Sequence, residues 1–435
     1  MDIAATTARF FLAAVVVLVV CRAVTVLMRR IGQPPVIGEM IAGVLLGPSL
    51  LGLVFPGVQD TLFPESVRPM LYVVSHIGLV AFMFEVGHEF KSQRVRGVGR
   101  SAGMISAAGV TVPLLLGILL VVTVGRQTGD VLSSGVPLWV SALFVGVTLA
   151  ITAFPMLARI ISERGLTGTR FGSLAMACGA LDDGVAWVLL AVVIGAATGD
   201  PSHIVMTAGG TVLFVLLLGF VARPVLAWVF DRRAVPVEQL VLVTAVALFA
   251  AAWFTDTIGL YSVFGGFCLG YVFPSGPVAD RVVSAISPVT KTVFLPLFFA
   301  YSGLNTQFGL LVSPALLLLS LAFVLAAIVG KFGGCFTAAR LAGEPRPVAM
   351  RVGVLMNARG LMQLIALNVG LQNGIATPAL FSALVLVALV TTIMTAPWLS
   401  FLDRREPAKT THAEESVEPS RTLTASAPDD EGEPG

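Results

Sequence analysis

The sequence predicts an all-α membrane protein of thirteen transmembrane helices, in which a five-helix unit recurs in inverted orientation with a broken helix in each copy. Three observations carry this reading. The chain has 435 residues, 56% hydrophobic and only 12% charged. Its apolar runs are each about as long as a bilayer is thick, and its basic residues fall almost wholly on alternate connections. Ordinary soluble domains carry roughly 25% charged residues, and a mean hydropathy of +0.93 excludes a soluble enzyme, a disordered chain and a nucleic-acid binder. A net charge of +2 implies no polyanionic partner. The 44 Gly and 25 Pro argue against a bundle of uninterrupted helices, because both residues break helices.

A helix crossing the hydrocarbon needs about 20 mostly apolar residues. Cutting at Gly, Pro and charge clusters gives spans near 8–28, 36–55, 70–90, 101–124, 137–160, 171–197, 204–230, 237–255, 257–273, 284–302, 312–339, 347–370 and 378–401. The first does not read as a cleaved leader, since its apolar run continues past Val20 to Arg22 and ends at Arg29 and Arg30 without a basic start. The ninth is short and glycine-rich. With the N-terminus outside, the inward connections hold Arg29, Arg30; Lys91, Arg94, Arg96, Arg100; Arg159, Arg164, Arg170; Arg232, Arg233; Arg281, Lys291; Arg340, Arg346, Arg351; and Arg404, Arg405, Lys409. Those are nineteen basic residues, against Arg9, Arg68 and Arg126 on the other side. Basic residues stay cytoplasmic, so the expected placement is a cell membrane, N-terminus outside and C-terminus in the cytoplasm. Miscounting by one span would scramble the alternation.

The transmembrane domain is expected over 1–403. Residues 404–435 hold four basic and eight acidic residues with almost nothing bulky and apolar. Such a stretch cannot offset its chain entropy, which predicts a disordered cytoplasmic tail. It has no GxGxxG and is too short for a nucleotide-binding domain, so no large soluble regulatory domain is expected. Cys21, Cys178, Cys268 and Cys335 lie in apolar runs without CxxC spacing and read as small buried hydrophobes.

Two patterns recur seven spans apart. IAGVLLG (41–47) in span two is matched by FGGFCLG (264–270) in span nine, and AFMFEVG (81–87) in span three by PLFFAYSG (296–303) in span ten. Spans five and twelve each contain an interruption, Thr152-Ala153-Phe154-Pro155 and Asn357-Ala358-Arg359-Gly360. An odd offset forces opposite orientations on the two units, spans 2–6 and 9–13. Inverted repeats with broken helices in corresponding places point to a secondary transporter with its site near the midplane.

An ionised group at mid-membrane costs at least ~2.5–3.5 kcal/mol and is a functional candidate. Those inside spans are Glu39, Glu85, Asp182, Asp183, Arg22, Arg223, Lys331 and Arg359. Arg22 and Arg223 are near enough to the boundary to snorkel, and Glu39 falls at the same side of span two. Asp182 and Asp183 stand roughly 16–18 Å into span six, and Lys331 lies roughly 13 Å from the same face in span eleven. Adjacent helical residues diverge by about 100°. One aspartate can therefore pair with Lys331 while the other faces an aqueous cavity and takes either a dehydrated cation or protons. Thr152 adds a hydroxyl at one interruption, Asn357 and Gly360 offer comparable breakage at the other, and Arg359 can neutralise the carbonyl ends of half-helices.

The segments QPPVIGEMIAGVLLGPSLLG (33–52), GVTLAITAFPMLARIISERGL (146–166), ALDDGVAWVLLA (180–191), PLFFAYSGLNT (296–306) and GVLMNARGLMQLIALNVGL (353–371) resemble the monovalent cation:proton antiporter-2 family over nearly the whole chain apart from the tail. The resemblance implies the sodium/proton antiporter-like fold: a dimerisation domain, a core from the spans around 101–197 and 312–401, and two broken helices that cross. It implies Na⁺ or K⁺ exchanged for H⁺ by alternating access, no cofactor, and a homodimer in the bilayer. Asp183 matches the family's shared cation and proton carrier, Asp182 its neighbour, Lys331 the lysine that pairs with that neighbour, and Thr152 and Asn357 the residues at the breaks. Two-aspartate members imply electrogenic exchange. Glu85 departs from the family's usual aliphatic residue and is a candidate extra proton site or cavity-lining group, whereas Glu89 matches its glutamate. His76 and His88 read as peripheral or packed histidines. Other classes weighed were an intramembrane aspartyl protease, disfavoured because adjacent aspartates diverge, and an organic-anion symporter or cation channel of similar inverted-repeat fold.

Overall fold

A computed structural model describes residues 3–92, 99–124, 131–166, 168–198, 201–231 and 235–405. The tail beyond Arg405 lies outside the described residues, as do Arg94, Arg96, Arg126, Arg232, Arg233 and Lys409 of the charge pattern. The helices are α1 (Ile3–Arg30), α2 (Pro35–Leu46), α3 (Leu51–Val54), α4 (Pro56–Leu62), α5 (Arg68–Ser92), α6 (Gly99–Thr123), α7 (Leu138–Ala150), α8 (Phe154–Glu163), α9 (Arg170–Thr198), α10 (Pro201–Leu217), α11 (Arg223–Phe230), α12 (Val237–Thr257), α13 (Ser262–Val272), α14 (Pro277–Val289), α15 (Leu295–Leu304), α16 (Pro314–Leu341), α17 (Arg346–Met356), α18 (Leu361–Gln372) and α19 (Pro378–Arg405). Wider π turns, Leu218–Ala222 and Thr290–Phe294, join α10 to α11 and α14 to α15.

Among the described residues, eleven helical stretches are long and apolar enough to cross a membrane, with α17 and α18 taken as one. Two further apolar helices, α7 and α13, have only 13 and 11 residues. The protein is thus all-helical and multi-pass. The apolar residues of α1, α11 and α12 that face outward, among them Phe11, Val225, Trp228, Leu242 and Phe249, are exposed, as lipid contact requires. The stretch α17–α18 is instead buried at every residue from 351 to 370. Its neighbours in the main apolar cluster come from α6, α7, α9, α16 and α19, with Phe144, Leu174, Phe323, Leu355 and Leu384 all buried.

Close glycine crossings fix two helix pairs. A Cβ at Gly43 or Gly47 of α2 would strike the carbonyl oxygens of Phe299 or Gly303 in α15. A Cβ at Gly266 or Gly270 of α13 would strike those of Val80 or Phe84 in α5. Small residues allow this backbone contact, the usual means of helix association where lipid is as apolar as leucine.

Both expected interruptions are present. α7 stops at Ala150 and α8 starts at Phe154, so the chain opens at Ile151–Ala153, just upstream of Pro155. The proline is the second residue of α8, where an amide proton would have no intrahelical acceptor in any case. It fixes where the second half restarts. Between α17 and α18 the chain turns through Asn357–Gly360, and Gly360 has φ +143°, a conformation that costs glycine alone little. The two openings touch: the Ala153 amide donates to the Ala358 carbonyl at 3.2 Å.

Candidate functional site

Asp182 and Asp183 sit side by side on α9, both fully buried, and their surroundings are opposite. Asp182 Oδ1 accepts from Ser106 Oγ of α6 at 2.5 Å. Its Oδ2 accepts from Thr152 Oγ1 at 2.9 Å and from Lys331 Nζ of α16 at 2.6 Å. Lys331 also donates to the Ala150 carbonyl at 2.6 Å, the last residue of α7. A buried ion pair holds only when further hydrogen bonds satisfy both partners, and here each charge has them.

Asp183, turned away by the helical rotation, has neither. No hydrogen bond of full geometry reaches either of its oxygens among the described residues. The Phe154 backbone N–H, first of α8, faces the carboxylate. A half-helix begins there with the positive end of its dipole, so the negative charge has partial compensation and, among the described residues, no side-chain donor. Asn357 Oδ1 is a second buried acceptor without a partner, while its Nδ2 lies 3.8 Å from Met394 Sδ. Such uncommitted oxygens are what a dehydrated monovalent cation requires.

The Arg359 guanidinium closes the opposite polarity. Fully buried, it donates from Nη1 to the Thr148 carbonyl at 2.9 Å and from Nη2 to that of Leu149. Together with Lys331 on Ala150 it caps the exposed C-terminal carbonyls of α7, where positive charge is favoured. Thr152 is committed: its hydroxyl donates to Asp182 and approaches the Met356 carbonyl at 3.5 Å.

A cavity of about 630 Å³ opens between α1, α2, α5 and α15 on one side and α8, α9 and α18 on the other. Glu39 and Glu85 line it, together with Glu89, Arg22, Arg29 and Lys291. The expectation that the second aspartate faces water is not met in this conformation, because Asp183 is fully buried and outside the cavity lining. The wall includes Met156, two residues past Phe154, Met176, two turns before Asp183, and Leu361, next to Gly360. Glu85 stands apart from Asp183, ion-paired with Lys291 and accepting from Ser287 Oγ at 2.9 Å. His88 Nε2 lies 3.2 Å from Asp280 Oδ1, and His76 Nδ1 donates to the Tyr72 carbonyl at 2.9 Å.

Ser106 escaped the sequence reading. It lies in an apolar stretch of α6 with no spacing that links it to α9, and only the packing of the two helices exposes its partnership. Lys291 was read as part of the topological charge pattern, which hid its bond to Glu85. All four cysteines are free thiols.

A family model described as "Sodium/hydrogen exchanger, transmembrane" matches residues 9–402. The chain belongs to this family. Its members are transporters, not catalytic enzymes, and this exchanger-family chain is similar to several curated ones. It is 36% identical over 389 residues to the Na(+)/H(+) antiporter NhaS4 of Synechocystis sp., covering 88% of this chain and 94% of that one. It is 35% identical over 394 residues to cation/H(+) antiporter 18 of Arabidopsis thaliana, covering 88% of this chain. There it spans about half of the relative, 47% of its length. The fold is similar to that of the sodium proton antiporter MjNhaP1 from Methanocaldococcus jannaschii, with a TM-score of 0.64 at 15% identity over 93% of this chain and 99% of that one.

Proposed function

We propose that the protein is a secondary active antiporter that exchanges Na⁺ or K⁺ for protons across the cell membrane, with Asp183 carrying either ion by turns. One observation carries the reading: of two adjacent buried aspartates, Asp182 is saturated by Lys331, Ser106 and Thr152, whereas Asp183 keeps both oxygens uncommitted beside a half-helix N-terminus. A carboxylate so placed can hold one proton or one dehydrated cation, never both, and that competition couples the two fluxes. Asn357 Oδ1 would supply a further cation oxygen, and Thr152 would act by orienting Asp182. Membership of the exchanger family and relatives named as Na⁺/H⁺ and cation/H⁺ antiporters support the same chemistry.

Thirteen crossings result if α7–α8 and α13 each count as one. The glycine crossings of α2 with α15 and of α13 with α5 support the inverted repeat, since spans two and ten meet as spans nine and three do. In this reading α6–α9 and α16–α19 form a core that slides against the remaining helices. The latter hold a second copy, with the N-terminus outside and the cavity facing the cytoplasm.

Addition of Na⁺ or K⁺ to everted vesicles carrying a pH gradient should release protons in proportion to exchange. Asp183→Asn is expected to abolish that response while the protein still inserts, and full exchange by the variant would remove Asp183 from the mechanism. Because protons compete for the same carboxylate, the apparent KM for the cation should rise as pH falls. Insensitivity of KM to pH would count against a shared site.

A further inference from the structure

Lys291 lines the cavity beside Glu85. Pro288 and Pro296 lack amide protons, and between them the helical ladder widens into the π turn Thr290–Phe294. From that turn Lys291 reaches the cavity with its side chain 44% exposed. An uncompensated ammonium there would lower the local concentration of every cation in a confined, low-dielectric vestibule.

Glu85 is placed to cancel that charge. Its side chain, from α5, is only 9% exposed, and one oxygen pairs with the Lys291 ammonium and accepts from Ser287. The other, Oε2, is buried and has no hydrogen-bond partner among the described residues. The ionisable side chains that line the cavity are Glu39, Glu85 and Glu89 against Arg22, Arg29 and Lys291. Three negative charges thus oppose three positive ones, and loss of Glu85 alone leaves an excess of one positive charge.

We infer that Glu85 is the counter-charge of Lys291, a positioning residue that keeps the cavity approach to Asp183 free of net positive charge and so sets the affinity for the incoming cation. The inference rests on the exchange proposed above and replaces an extra proton carrier at Glu85 with an electrostatic role.

In everted vesicles the bath reaches the cytoplasmic face. There Glu85→Gln is expected to raise the apparent KM for Na⁺ or K⁺ about fivefold at an ionic strength of ~0.01 M, with the maximal rate held. Choline chloride added to ~0.15 M shortens the Debye length from about 30 Å to about 8 Å and should shrink the effect below about twofold. Removing the orphaned ammonium as well, in E85Q/K291Q, should bring KM back to within about twofold of the parent at low ionic strength. An unchanged KM for E85Q at low ionic strength overturns the inference. So does a KM shift indifferent to salt, the mark of a packing defect. A lost maximal rate with a displaced pH profile that K291Q does not rescue also overturns it, because a proton carrier behaves that way. If the parent protein releases no protons on cation addition, or D183N keeps full exchange, it is the antiporter reading that fails instead.

Discussion

At the scale of residues, one step along a helix separates two chemistries. Asp182 and Asp183 differ by about 100° around α9, enough to give one carboxylate three donors from three other elements and the other none with full hydrogen-bond geometry. The Asp182–Lys331 pair is fully buried on both sides, and removing one member of such a pair typically costs about 3–5 kcal/mol by leaving the other charge unmatched. Lys331→Ala should therefore lower the Tm of the detergent-solubilised protein markedly, while Asp182→Asn with Lys331→Met should recover most of the loss. A Tm for Lys331→Ala equal to the parent's would show that the pair contributes nothing to the fold. Ser106→Ala removes one charge-assisted hydrogen bond and should cost about 1.5–3 kcal/mol, a smaller drop in the same measurement. The residues that carry charge at mid-membrane were legible in the sequence because so few ionisable groups lie inside spans. The pairing of Lys331 with one of the two aspartates was legible too, but the further partners were not, since Ser106 has no sequence feature that announces it.

At the scale of elements, glycine contacts and interrupted helices position the site. Gly43 lies against the backbone of Phe299 and Gly303 against that of Gly43, so a Cβ at either would meet carbonyl atoms that cannot move aside as a side chain would. Gly43→Ala and Gly303→Ala should each destabilise by about 1–3 kcal/mol or more. Both act on one crossing, so the double variant should cost less than the sum of the singles. Thermal unfolding of the three proteins checks this, and strict additivity would argue that the helices do not share the contact. Gly360 differs, for there the backbone is at fault: φ +143° strains any residue with a Cβ, and Gly360→Ala should disturb the break itself. The sequence placed both interruptions to within a few residues. It put one at Thr152–Pro155, and the opening at Ile151–Ala153 starts one residue earlier and ends before the proline, since a proline is harmless in a first helical turn.

At the scale of the molecule, the cavity and a polar cluster occupy opposite ends of α5. Glu85 and Glu89 line the cavity near the helix's C-terminal end, and Tyr72 lies in its first turns, roughly 20–25 Å away at 1.5 Å per residue. Tyr72 and Tyr261 both donate to Gln372 Oε1, at 3.2 and 3.0 Å, and Asn373 Nδ2 donates to the Tyr261 hydroxyl at 3.2 Å. These bonds tie α5 and the start of α13 to the end of α18. Alternating access requires that end to open when the cavity closes. Cysteines at 72 and 372, joined by a short bifunctional thiol reagent that a reductant can cleave, should stop exchange reversibly in vesicles. Undiminished exchange in the cross-linked protein would exclude movement between these elements.

Composition, basic-residue alternation and the rarity of buried charge led, from sequence alone, to an all-helical membrane protein and the candidate charges Asp182, Asp183, Lys331 and Arg359, and the two helix interruptions added Thr152 and Asn357 as candidates. Each of those signals is local: a residue's transfer cost or a helix's period can be read without knowing its neighbours. Only the tertiary structure decided that Lys331 and Arg359 both cap the end of α7, that Asp182 is saturated and Asp183 is not, and that Lys291 belongs to Glu85. Those facts depend on which helices pack side by side and at what rotation. In a chain of nearly interchangeable apolar helices, glycine contacts and broken ends set that packing in three dimensions, and no spacing along the sequence encodes it.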